Sequence, residues 1–135
     1  MKIAVCNRNT EKRYKNKEMS WEDIKERNRH PIRTSETMEE YPKLPKAQRN
    51  IAKDQGGFVG GWLRGGIRKK GHVISRECGA LDADHIPEGE DFIGKAVSVL
   101  AGVRFFLYST HSHTPQHQRY RLVMPFSREV SEEEY

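Results

Sequence analysis

Cysteine is scarce in this chain, and the scarcity closes several classes of protein. Its two cysteines, Cys6 and Cys78, stand far apart in 135 residues, a spacing that fits neither a disulfide framework nor a zinc site. Long apolar runs are missing as well. None approaches the roughly 20 residues needed to cross a bilayer, and the opening MKIAVCNRN turns polar too soon for a signal peptide. The expectation is a soluble protein of a reducing cytoplasm with no membrane partner. Neither G-x-x-x-x-G-K-[ST] nor a G-x-G-x-x-G turn between strand and helix occurs, so the two common phosphate-cradling fingerprints are absent.

What is present is charge, unevenly placed. Residues 1–70 hold 18 Lys and Arg against 9 acids, whereas residues 71–135 hold 6 against 10. A basic front half suits a polyanion, because cations on the protein release counterions condensed on phosphates. A solvated helix surface accounts for the same count equally well. With 35% apolar residues, the chain has material for one domain with a modest core. Within residues 1–135 we distinguish a basic part, 1–70, and a more regular part, 71–135.

The first part opens with KIAVC, a short apolar run that reads as a strand from Lys2 to Cys6. Ser20 ahead of Glu22 and Asp23 caps an expected helix, with Trp21, Ile24 and Met19 inward and Pro31 beyond its end. Pro42 and Pro45 predict an irregular segment over residues 33–53. Three glycine pairs follow between Lys53 and Lys70, which read either as a cradle for phosphate or as a glycine-rich hairpin packing Phe58, Val59, Trp62 and Leu63. The hairpin is the preferred reading.

In the second part HVISRECGALDAD is extended, Phe92, Ile93, Ala96, Val97 and Leu100 recur at helical spacing, and RFFLYST and RYRLVMPF are strand-like. Strand, helix and strand in about thirty residues imply a right-handed β-α-β unit, with the last run returning as an antiparallel neighbour. Ser131 and Glu134 match a capping box, as if a helix began where the sequence stops, so a piece of a longer protein is expected.

Chemistry concentrates in LDAD. On a strand Asp82 and Asp84 project to one side, where like charges repel unless a cation or proton intervenes. Mg²⁺ or Mn²⁺ would satisfy them and clamp a triphosphate. The alternative is a solvated strand end. The loop HSHTPQHQ follows the next strand, and in a parallel β-α-β unit both strand ends open on one edge. Arg119 and Arg121 would bring fixed charge to phosphates, Ser109 or Thr110 a hydroxyl, and His111 a phosphate contact or proton shuttle. Zinc on His111, His113 and His117 lacks a fourth ligand.

At these residues the chain resembles the archaeo-eukaryotic primase superfamily, the primase-polymerases. That pattern is an apolar strand ending in D-x-D, a strand ending in S-x-H, and a later strand carrying another acid. Asp82 and Asp84 match the first motif, and Ser109 with His111 the second. The stretch from Arg33 to Glu77 also looks like the leader of primase domains at the front of phage and prophage proteins related to virulence-associated protein E, which a helicase-like ATPase commonly follows.

The resemblance implies an α/β (α+β) primase-polymerase core with a mixed sheet like that of an RNA-recognition motif and a basic N-terminal subdomain, truncated at its C-terminus. It implies metal-dependent nucleotidyl transfer from an NTP or dNTP on a DNA template, with Asp82, Asp84 and His111 catalytic and Ser109, His111, His113, Arg119 and Arg121 on the nucleotide. Lys53, Arg64, Arg68, Lys69 and Lys70 become template contacts on charge alone. The pattern's third acid has no counterpart after Arg121, which puts polymerisation by this stretch alone in doubt.

Two other readings compete. A single-strand nickase of the His-x-His type would use His111 and His113 on one strand face and Tyr14, Tyr41 or Tyr120 as nucleophile, although Ser112 stands where a bulky apolar residue belongs. A non-catalytic module that binds nucleic acid or protein would keep a primase-like fold without a complete site.

Overall fold

The computed structural model describes residues 1–135, and the chain divides into two compact units. One comprises Met1–Glu77 with Arg128–Tyr135, the other Cys78–Ser127. No helix is long and apolar enough to cross a membrane.

The larger unit is organised by β1 (Lys2–Cys6), whose Ile3, Ala4, Val5 and Cys6 are all buried. It is the middle strand of three, in the order β2-β1-β3 and antiparallel on both sides, with β2 at Lys15–Glu18 and β3 at Gly57–Val59. Strand β2, with the sequence KNKE, is fully exposed and has no apolar alternation. It is a strand because β1 supplies its ladder. Helix α1 (Trp21–Arg29) begins as expected: the Ser20 hydroxyl accepts from the Asp23 N–H and the Asp23 carboxylate accepts from the Ser20 N–H, a reciprocal capping box. Its Ile24 is fully buried.

Residues 46–53 depart from expectation, forming helix α2 (Lys46–Lys53) where an irregular segment is anticipated. Pro45 is the residue ahead of the first helical turn, so it breaks no helical hydrogen bond. The glycine-rich stretch also differs. β3 pairs with β1, whereas β4 (Gly61–Leu63) pairs with β5 (Val73–Ala83), so the two do not form a hairpin with each other. Two of the glycines serve close backbone approach rather than a phosphate. A Cβ on Gly61 would collide with the Ser75 carbonyl oxygen, and one on Gly66, at φ +72°, with that of Tyr14.

The smaller unit holds α3 (Phe92–Val99), β6 (Phe106–Ser109) and most of β7 (Tyr120–Val130). The four-stranded sheet has the order β4-β5-β7-β6, so both sheets are antiparallel and the fold is α+β. The expected β-α-β unit is therefore split. β7 lies between β5 and β6, and both run opposite to it. The segment after β7 keeps its capping box, since Glu134 accepts from the Ser131 N–H at 2.8 Å and the Ser131 hydroxyl from the Glu134 N–H at 3.3 Å.

Candidate nucleotide site

Strand alternation builds the site. Asp82 and Asp84 leave the end of β5 on one side, and Arg119 and Arg121 enter β7 on the facing side. Arg121 grips Asp82 bidentately, Nε to Oδ1 at 2.6 Å and Nη2 to Oδ2 at 3.0 Å. Arg119 Nη1 stands 3.6 Å from Asp84 Oδ1. The partners step in opposite directions along their strands, as antiparallel neighbours do.

The pairs are wet: the Arg121 and Asp82 side chains are 39% and 48% exposed. Exposed ion pairs contribute about 0–1 kcal/mol, so these hold position more than they hold the fold. The guanidinium hydrogen bond lowers the Asp82 pKa, against a smaller opposing effect of burial. The same bond raises that of Arg121. Both groups stay charged at neutral pH.

Tyr108 completes the row. It lies opposite Arg121 across the β6–β7 pairing, and its phenol bears on the guanidinium. The Phe106 ring stands beside it, centroids 6.2 Å apart. The sequence reading passed over both aromatics, although alternation in RFFLYST puts Phe106 and Tyr108 on one side.

The histidine loop is arranged differently from expectation. Residues 110–113 form a turn closed by the His113 N–H donating to the Thr110 carbonyl at 2.9 Å, so His111 and His113 do not share a strand face. His113 Nδ1 lies 3.1 Å from the Arg119 N–H and 3.3 Å from the Arg119 carbonyl oxygen, which ties the ring to the start of β7. Its ring leans on Tyr120, centroids 4.9 Å apart, and Tyr120 stacks on Phe92 at 5.5 Å. Ser109 pairs with Tyr120 and so alternates to the face opposite Asp82, while His111 is exposed in the turn. The sheet thus gathers Asp82, Asp84, Arg119 and Arg121, keeps His113 occupied as a loop brace, and leaves Ser109 facing away. Lys53, Arg64, Arg68, Lys69 and Lys70 all belong to the other unit and are exposed.

No three His, Cys, Asp or Glu side chains gather as a metal cage. Two carboxylates without a third donor do not fit an all-protein site. Mg²⁺ held by one or two carboxylates together with a substrate's phosphates would require both to leave their arginines.

An α+β domain with facing rows of carboxylates and guanidiniums at the ends of two strands is the class this chain defines. The family model of the VapE N-terminal domain matches residues 1–135, and the chain belongs to that family. It is a VapE-like domain of a phage-type replication-associated protein. No curated protein and no solved structure matches it.

Proposed function

We propose that this domain binds a nucleoside triphosphate for primase-polymerase chemistry on a DNA template, as part of a longer replication protein that works with a helicase-like ATPase. The observation that carries the reading is the double Asp–Arg row, Asp82 with Arg121 and Asp84 with Arg119. Each pair is exposed and exchangeable. A triphosphate offers the arginines stronger bidentate partners, and their transfer to phosphate frees two carboxylates on one side.

Asp82 and Asp84 would hold Mg²⁺ or Mn²⁺ together with those phosphates; the ion, when bound, neutralises charge developing on pyrophosphate. Arg119 and Arg121 orient the phosphates, and Tyr108 buttresses the Arg121 guanidinium. In the transfer itself the 3′ oxygen of a strand bonds to the α-phosphorus, the bond to the bridging oxygen breaks, pyrophosphate leaves, and the hydroxyl proton passes to water. His111, exposed in its turn, is the histidine that would approach a phosphate.

Calorimetric titration with MnCl₂ and a nonhydrolysable deoxynucleoside triphosphate tests the reading. Metal-dependent binding that disappears in Asp82→Ala, Asp84→Ala is the expected result. Binding that ignores metal and both substitutions, or no binding at all, overturns it.

A second reading has its own observation in favour: both carboxylates are already paired with arginines, and no third acid joins them. A non-catalytic nucleic-acid module predicts that the same double substitution leaves DNA affinity unchanged or slightly raised, because two negative charges go. Of the three tyrosines of the nickase reading, Tyr14 is 4% exposed and Tyr120 is stacked between Phe92 and His113, whereas Tyr41 is half-buried, and His111 and His113 do not share a strand face.

A further inference from the structure

Two loops far apart in sequence are held together in the larger unit, and both are basic. Residues 8–13, between β1 and β2, and residues 64–71, between β4 and β5, together carry seven cations against one acid. That net of +6 equals the surplus of the whole unit, whose 20 Lys and Arg face 14 acids. The cations elsewhere in the unit are often matched, as in Lys2 with Glu129, Lys25 with Glu22, Arg29 with Glu26 and Arg128 with Glu134.

The two loops are joined at Tyr14. Its N–H donates to the Gly66 carbonyl at 2.8 Å, and its hydroxyl accepts from Arg68 Nη1 at 3.2 Å. One step further along β2, the Asn16 side chain binds both the N–H and the carbonyl of Leu63. Gly66 makes this approach possible, because a Cβ there would strike the Tyr14 carbonyl oxygen. Lys12 and Arg13 lead into Tyr14, Arg64 precedes Gly66, and Arg68, Lys69 and Lys70 follow it; all six are exposed. Their charges pair with no carboxylate, and Arg68 has only the Tyr14 phenol and ring.

Three acids lie at the margins. Glu11 sits in the first loop, Asp54 binds Asn9 and Thr10 and faces Arg8, and Glu132 accepts from the Gly71 N–H. None of the three forms an ion pair with the six cations.

We infer that Lys12, Arg13, Arg64, Arg68, Lys69 and Lys70 form one docking surface for the phosphodiester backbone of a DNA strand. Holding six like charges together against their repulsion has a use where a polyanion neutralises them, and each phosphate contact releases counterions. No exposed aromatic lies among them, so the contact is to phosphates and independent of sequence. Lys53, at the C-terminal end of α2, is outside the surface. The identity of the strand as a template rests on the proposed function; the binding itself does not, because Asp82 and Asp84 take no part in it.

Fluorescence anisotropy with a labelled oligothymidylate over a series of salt concentrations tests this. Lys12→Ala, Arg13→Ala, Lys69→Ala, Lys70→Ala together should weaken binding at least tenfold and flatten the log–log salt dependence by about 3, at roughly 0.7 per lost contact on a single strand. Lys43→Ala, Lys46→Ala, also exposed, should change affinity less than twofold. Asp82→Ala, Asp84→Ala should keep the oligonucleotide affinity even where nucleotide binding is lost, which separates this surface from the triphosphate site. Equal loss in the Lys43 and Lys46 variant, an unchanged salt slope, or binding to phosphatidylserine vesicles in place of the oligonucleotide would overturn the inference. All substituted positions are exposed, and an unchanged urea midpoint excludes loss by unfolding.

Discussion

The two units divide the physics of this chain between them. The larger unit encloses an apolar centre of Ala4, Cys6, Tyr14, Val59 and Leu63 and turns its charge outward as a cationic surplus. The smaller unit is nearly neutral, with four Lys and Arg against five acids, and leaves its apolar residues in the open. Leu81, Ile93, Val97, Val99 and Val103 are 44–81% exposed, and no residue of α3 is buried. Cys78, Leu122 and Val123 are its buried apolar residues. A closed core and a thin one in the same chain teach that apolar content alone does not make an interior; the helix must also have something to lie against.

Substitutions can break that contrast, and the largest effect belongs to the larger unit. Leu63 is fully buried, and Leu63→Ala should cost about 2–5 kcal/mol in urea unfolding by combining lost transfer energy with a cavity. Ser20→Ala comes next at about 1 kcal/mol, because two backbone groups lose the reciprocal cap of α1. In the smaller unit Asp82→Ala should change the same midpoint by less than about 1 kcal/mol, since the ion pair with Arg121 is half in water. Smaller still, Val97→Ala should stay within about 0.5 kcal/mol, because the side chain is 55% exposed. A Val97 effect as large as that of Leu63 would show that α3 is covered in solution and would remove the contrast.

Acid sharpens it. Arg128 and the Ser131 N–H hold the Glu134 pKa down at about 2, from an ordinary 4.5. A carboxylate depressed in the folded state stabilises it fully above the ordinary value, and that contribution disappears as pH falls through the folded one. Folding stability should therefore decline between pH 4.5 and 2, and Glu134→Gln should shrink the decline. Asp82, depressed by Arg121, adds a loss of the same sign on the other unit, and Asp82→Asn should remove its share without touching that of Glu134. Denaturant midpoints measured across this range for the two variants and the double variant check whether the shares add.

Much of the fold was legible because the relevant physics is local. KIAVC reads as a buried strand, Ser20 and Asp23 as a cap, and Phe92 to Val99 as a helix, each within a few residues of sequence. Strand β2 was not legible: its four polar residues carry no strand signal and depend on the ladder from β1. Helix α2 was hidden by Pro45, a helix breaker inside a helix and harmless just before one. The split of the β-α-β unit was equally hidden, since sequence order says nothing of which strand is inserted between two others.

The site divides along the same line. Sequence by itself determined that Asp82 and Asp84 share one side of a strand and that Arg119 and Arg121 share one side of another, because side chains alternate with a period of two. It also determined where the cations are concentrated. Tertiary structure alone decided that the two rows face each other, that Ser109 turns away from them and that His113 braces its loop. It alone tied Tyr14, the residue after Lys12 and Arg13, to Gly66 and Arg68. The reason is range: periodicity and capping act over one to four residues, whereas pairing between residues 35 to 54 apart depends on strand order and on where a glycine lets two backbones meet.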